Sequence, residues 1–184
     1  MTEARILVVC TANVCRSPVV ERLLARHLGP SFEDLRVTSA GTHGGRLAVH
    51  EHTVRAAREV DVDLTDHASR LLTEPMIVEE GADLVVTMTR EHLRDVVGQV
   101  PDAWPRSFTL KELVRRALDV PIGVDGFDAW VRAASDGRRA ADLMVPSADD
   151  DLSDPYGGPF AGHVAMVGEV DRLVRRLAQL VPDA

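Results

Sequence analysis

Lysine is almost missing from this chain: Lys111 is its single instance among 184 residues, and the net charge is -8. Nucleic acids and anionic membrane surfaces need clustered positive charge, which a lone lysine and arginines scattered among acids do not supply, so neither is an expected partner. Cysteine is scarce as well, limited to Cys10 and Cys15. Two thiols cannot build a disulfide framework, and the scattered histidines add no recognisable ligand spacing, so no metal and no cofactor are expected. A chain that depends on a free thiol fits a reducing cytoplasm.

Long apolar runs are absent too. No stretch approaches membrane-spanning length and no charged-then-apolar leader opens the sequence, so a soluble cytoplasmic protein is expected, without membrane insertion or targeting peptide. No internal repeat or low-complexity tract interrupts it. With 45% hydrophobic residues the chain can bury one sizeable core and is too short for two ordinary domains. A single domain over 1–184 is expected, and a monomer.

What is present is an alternation of strand and helix patterns. Residues 6–9 form a continuous apolar run of the kind buried in a parallel sheet, and 19–28 follow with helical spacing at Val20, Leu23, Leu24 and Leu28. Strands are expected at 35–39, 84–86 and 107–110, and helices at 48–60, 90–97 and 111–118. This order predicts an α/β fold in three layers, a four-stranded parallel sheet with helices on both faces. Residues 120–151 are less regular, with a short helix at 129–134 and a polar run at 147–151 that reads as solvated charge. From Phe160 a clear amphipathic helix runs toward Pro182 and reads as core alone.

The most informative stretch is Cys10-Thr11-Ala12-Asn13-Val14-Cys15-Arg16-Ser17-Pro18, directly after the first strand and before the first helix. A strand that delivers a cysteine to a short loop ending at a helix N-terminus sets the sulfur among backbone N–H groups, where an anion is favoured. The thiolate is one such anion and a phosphate is another. Asn13 tolerates the left-handed conformation that a tight anion-binding turn needs. Ser17 is a natural N-cap or a hydroxyl donor to the sulfur, and Pro18 suits the first helical position. In open parallel sheets ligands sit beyond the carboxyl ends of the strands, which is where Cys10 falls. The bland alternative is a buried structural cysteine beside an ordinary cap.

The run from Val9 to Pro18 resembles the signature of the low-molecular-weight protein tyrosine phosphatases, near the N-terminus as in that family. Ser39-Ala40-Gly41-Thr42 resembles the family's second-strand motif, His67-Ala68-Ser69-Arg70 its histidine-containing turn, and Asp154-Pro155-Tyr156 its general-acid loop. The resemblance spans nearly the whole chain. It implies a phosphate-binding loop after the first strand, with Thr11, Ala12, Asn13, Val14, Cys15 and Ser17 supporting the catalytic residues Cys10, Arg16 and Asp154.

The chemistry of these residues agrees. N–H donors, a helix terminus and a guanidinium favour a thiolate nucleophile, and the planar arginine fork binds two phosphoryl oxygens where a lysine would offer a point charge. Asp154, fixed by Pro155, would protonate the leaving oxygen. Tyr156, the sole tyrosine, would line the cleft wall with His43. The chain departs from the family pattern at Gly157, where a second aromatic often follows, and at His43, where another wall aromatic is usual. These departures imply a wider cleft, less selective for aryl phosphates. Ala12 replaces a usual glycine, and Thr89 a common acid. His50, His52 and His67 read as capping or surface residues. Cys15 is either a small buried hydrophobe or, as is common in the family, a partner that traps oxidised Cys10 as a disulfide.

The expected function is a phosphomonoester hydrolase acting on a phosphotyrosine-bearing protein or a small aryl phosphate through a phosphocysteine intermediate. Val14 supports phosphotyrosine, since family members linked to phosphoarginine carry threonine there. The rivals are arsenate reduction on the same fold, which usually wants further cysteines, and a phosphate- or phosphopeptide-binding domain without turnover.

Overall fold

Ile6, Leu7, Val8 and Val9 give the first strand, β1 (Glu3–Cys10), the unbroken apolar run of a strand covered on both faces. A computed structural model describes residues 3–145 and 147–182 of the chain; the rest of the expected span 1–184 lies outside the described residues. β1 pairs in parallel with β2 (Asp34–Gly41) on one side and β3 (Leu84–Thr87) on the other, and β4 (Ser107–Thr109) extends the sheet beyond β3. The order is β2-β1-β3-β4, which is a single α/β sheet of the expected kind.

Side chains alternate across a strand, and the two faces of β1 enter separate cores. Ile6 and Val8 join Leu84, Val86 and Phe108 beneath α1 (Arg16–Leu28), α5 (Leu110–Ala117), α6 (Phe127–Ser135) and α7 (Phe160–Ala178), through Leu23, Leu113, Trp130 and Val170. Leu7 and Val9 face α3 (Glu74–Val78) and α4 (Arg90–Gln99), through Ile77 and Val96. A further helix, α2 (Glu51–Ala57), packs on α7. The chain leaves β1 toward β2 and later returns to its other side at β3, so the strand order reverses at β1 and opens a crevice beyond Cys10.

Several sequence expectations are adjusted. The helix expected at 48–60 begins only at Glu51, because Ala48 bridges to Ala68, and its end tightens into a 3₁₀ turn at Arg58–Val60. α3 was not foreseen, being five residues long with one fully buried apolar side chain, Ile77. The polar run at 147–151 is not simply solvated: Asp150 is 1% exposed and is paired by Arg90 and Arg115, each at 2.7 Å. Burial raises the Asp150 carboxyl, but the hydrogen bonds from Arg115 and Arg90 outweigh it and hold it below the usual carboxylate value. The irregular 120–151 region is likewise stitched by a buried ion pair, Arg138 to Glu112 at 2.8 Å, with the guanidinium over Trp104 and Phe108.

Candidate active site

Between β1 and α1 the backbone turns so tightly that Asn13 adopts φ 56°, the left-handed region that asparagine accepts. α1 starts at Arg16 with Cys15 at its N-cap and no side-chain cap, so Ser17 lies inside the first turn and Pro18 beyond the first helical position. Pro18 is tolerated there because the first-turn N–H groups have no helical partner. The loop rests on Gly41, the register partner of Cys10. A Cβ at Gly41 would come within 2.6 Å of the Thr11 carbonyl oxygen, so only glycine lets the strand end pass beneath the loop. Past Gly41, the N–H groups of Thr42 and His43 donate to the carbonyls of Cys10 and Thr11 at 2.9 and 2.7 Å.

Ser17, freed from capping, places its Oγ 3.0 Å from the Cys10 sulfur, and the Asn13 backbone N–H points at the same sulfur from 3.3 Å. The direction of the bonds follows from the amide. Asn13 Nδ2 donates to Ser17 Oγ at 2.9 Å and to Ser39 Oγ at 2.7 Å, which leaves the Ser17 proton for the sulfur. Ser39 Oγ in turn donates a hydrogen bond to Glu21 Oε2. The Asn13 carbonyl oxygen accepts from the Arg70 N–H at 2.9 Å and faces His67 Nε2 at 3.3 Å. Every polar atom of the Asn13 side chain is thus used. His67 is therefore not a surface histidine: its ring bridges Asn13 and Glu21, and burial holds it below the ordinary imidazole value against the pull of the Glu21 carboxylate. The 39–42 and 67–70 motifs converge here, far apart in sequence.

On the other side of the loop, the Arg16 guanidinium is 4% exposed. Its Nη2 donates to Asp154 Oδ2 at 2.6 Å and to Thr11 Oγ1 at 2.9 Å, while Nε has no hydrogen-bond partner. Thr11 Oγ1 meets His92 Nε2 at 2.9 Å, and His92 Nδ1 meets Thr89 Oγ1 at 2.8 Å. Burial, with Arg16 nearby, pushes His92 down to about 4, so the ring is neutral near pH 7 and links two hydroxyls with a single proton. Sequence reasoning missed His92. Its only signal was Thr89, which caps α4 and occupies the place where the resemblance led one to expect an acid.

Cys10, Arg16 and Asp154 border one cavity of about 220 Å³, together with Thr11, Ala12, Val14, Cys15 and Tyr156. His43 does not line it; the ring is exposed and bonded to the neighbouring Thr42 hydroxyl at 3.0 Å. Tyr156 stands at the rim, 66% exposed. Gly157 follows with φ 75°, a conformation that a second wall aromatic would adopt only under strain. Both cysteines are free thiols, and burial pushes Cys15 up to about 11, so it is protonated at neutral pH. His50 does cap α2, accepting the His52 N–H through Nδ1. α7, expected only as core, brings His163 beside both of them.

A thiol, a guanidinium and a carboxyl around one anion-sized cavity, at the carboxyl end of the first strand of this sheet, are the equipment of a cysteine-dependent phosphatase. Residues 5–126 match the family model of the low molecular weight phosphotyrosine protein phosphatases, and the chain belongs to that family. A protein-arginine-phosphatase of Geobacillus stearothermophilus is 31% identical over 95% of this chain and 94% of its own length. A low molecular weight protein-tyrosine-phosphatase of Escherichia coli is 41% identical over 53% of this chain and 62% of its own. The crystal structure of a low molecular weight protein tyrosine phosphatase from T. tengcongensis superposes with a TM-score of 0.70 at 27% identity, covering 96% of this chain and 99% of that one. No helix among the described residues is long and apolar enough to cross a membrane.

Proposed function

We propose that this chain hydrolyses phosphate esters on proteins, phosphotyrosine foremost, through a phosphocysteine intermediate in a reducing cytoplasm. One observation carries the reading: the Cys10 sulfur faces the same cavity as a buried arginine whose Nε–H has no partner and whose Nη2 is bonded to Asp154. An incoming phosphoryl group takes two oxygens to the Arg16 fork, which supplies positioning and charge together. The guanidinium then releases the Asp154 carboxylate, which takes up the proton carried in by the phosphate monoanion and turns toward the leaving group. Cys10 attacks phosphorus in line, the bond to the leaving oxygen breaks, and Asp154 gives that oxygen its proton. In the second half Asp154 takes a proton from water, the water oxygen displaces the sulfur from phosphorus, and inorganic phosphate departs. Val14 and Tyr156 give the cavity an apolar wall suited to an aromatic ring. Cys15 is read as a packing residue, since burial disfavours the thiolate that disulfide formation needs.

Phosphoarginine is the second reading, favoured by the relative named as a protein-arginine-phosphatase that matches nearly the full chain. Against it, a guanidinium leaving group carries N–H donors that need acceptors, and Val14 offers none. Initial rates on phosphotyrosine, phosphoserine and phosphoarginine peptides decide the matter. Phosphotyrosine should be cleaved fastest, by at least about tenfold, which asks for only about 1.4 kcal/mol of discrimination. Phosphoarginine in first place would install the second reading. Cys10→Ser should lose several orders of magnitude on every substrate while still binding vanadate; substantial residual turnover would sink the covalent mechanism.

A further inference from the structure

His50 and His52, two residues apart, meet the sequence-distant His163 beside residues 154–159. His50 precedes α2, His52 lies in its first turn, and His163 sits in the first turn of α7, fully buried. One ring nitrogen from each falls within 4.8 Å of the other two. Two of these rings present buried nitrogens with no hydrogen-bond partner, Nδ1 of His52 and Nε2 of His163. A buried polar atom without a partner is uncommon and demands a reason. We infer that His50, His52 and His163 form a binding site for a divalent transition-metal cation of the nitrogen-preferring class, with Zn²⁺ the leading member, seated between α2, α7 and residues 154–159.

The tautomer of His163 suits this role. Thr53 Oγ1 lies 2.8 Å from His163 Nδ1. A hydroxyl can accept as well as donate, so Thr53 can take the Nδ1–H and leave Nε2, which has no hydrogen-bond partner, with a lone pair. A second partner that fixes the far nitrogen is the usual device behind a metal-bound imidazole. The Pro155 carbonyl faces this ring as well but makes no hydrogen bond to Nε2. The Asp154 carboxylate is near enough to act on His163 electrostatically and supplies negative charge toward a cation.

Geometry sets the affinity. Three nitrogens at roughly 2.0–2.1 Å from a tetrahedral ion lie about 3.4 Å apart, so the rings must close by on the order of 1 Å. His50 also surrenders its 3.2 Å bond from the His52 N–H, whichever nitrogen it offers. A lost cap weakens binding by roughly five- to tenfold. The expected complex is therefore micromolar, with an open fourth position. The competing explanation is ring packing alone, since His50 and His163 are stacked at 4.7 Å.

The test uses the full chain carrying Cys10→Ser and Cys15→Ala, so that no thiol competes for the ion. Zn²⁺ is titrated by calorimetry and Co²⁺ by visible absorption. A single ion should bind, with the Co²⁺ bands of a low-coordinate nitrogen site, and His52→Gln should weaken binding at least about tenfold. Histidine ring NMR signals of the parent protein should move at His50, His52 and His163 and stay in place at His27, His43, His67 and His92. That measurement needs no variant of the cluster and so decides the matter even where His52→Gln fails to fold. No binding by the thiol-free chain, unchanged affinity in a folded His52→Gln, or shifts confined to other histidines would each overturn the site. Because this chain lacks the nucleophile, the result is independent of the phosphatase reading.

Discussion

The phosphate loop at 10–17 and the acid loop at 154–159 face each other across one cavity, and they are held in opposite ways. The first is tied at every polar atom of Asn13, propped by Gly41 from below and bonded through Thr11 to His92. The second is held to itself by Tyr156 N–H on Asp154 and Gly158 N–H on the Pro155 carbonyl, and Asp154 meets the rest of the site at the Arg16 guanidinium. That ion pair, with Asp154 45% exposed, is the bond that a phosphate would replace. On the proposed function the contrast is one of chemical duty. Charge developing on three phosphoryl oxygens is best met by donors that need not reorganise, whereas a proton donor must approach and withdraw within one turnover.

Replacing the acid should have the largest effect and should depend on the substrate. Asp154→Asn is expected to lower turnover roughly 10²- to 10⁴-fold on a phenolic phosphate with a poor leaving group, the range for a positioned acid. The deficit should shrink on activated aryl phosphates, which depart without help, and phosphate affinity should hold or rise slightly, because the carboxylate that competes for Arg16 is gone. Steady-state rates across a series of phenols check this. An equal loss at both ends of the series would make residues 154–159 a structural element and erase the contrast.

Loosening the cradle should do the reverse. Asn13→Ala removes buried donors to Ser17 and Ser39 and the part-buried acceptor of the Arg70 N–H, and leaves a left-handed residue without the side chain that favours it. Stability should fall by about 3 kcal/mol, the sum of unsatisfied buried partners and backbone strain. Turnover should drop by a similar factor on good and poor leaving groups alike, because the nucleophile is disturbed rather than the acid. A leaving-group dependence like that of Asp154→Asn would show the two loops to be one unit.

The two loops also differ in how far the sequence displays them. The cradle is contiguous, so its strand, its left-handed Asn13 and its helix stand in one run of residues, and the sheet order follows from the alternation of patterns. The acid loop is visible only through its proline and glycines, and its attachment to Arg16 spans most of the chain. The supports are harder still. Neither His92, buried behind Thr11, nor His163, beneath α2, lies in a motif, since a single polar residue in a helix leaves no periodic trace. Asp150 misled for the same reason: a run of acids looks solvated until the fold brings Arg90 and Arg115 to one of them.

His92 gives the smallest and most specific test, because it braces the cradle on the side nearest the acid. Its ring is pushed down to about 4 in the folded protein from an ordinary value of 6.5, chiefly by burial. Between these values the unfolded chain holds a proton that the folded one does not, so stability rises with pH across the window. The contribution is complete above about pH 6.5 and is lost as pH falls toward 4, by up to about 3 kcal/mol for the whole span. His67 and His163 are lowered by burial as well, and they slope the same way. The informative quantity is therefore the difference between two proteins. Denaturant unfolding from pH 7 to 4 should be flatter in His92→Gln than in the wild type, and at pH 7 the KM for an aryl phosphate should rise a few-fold as Thr11 loses its brace on Arg16, with kcat less affected. An unchanged pH slope would mean that His92 is solvated in the folded chain, and the rigidity of the cradle would then rest on its Asn13 side alone.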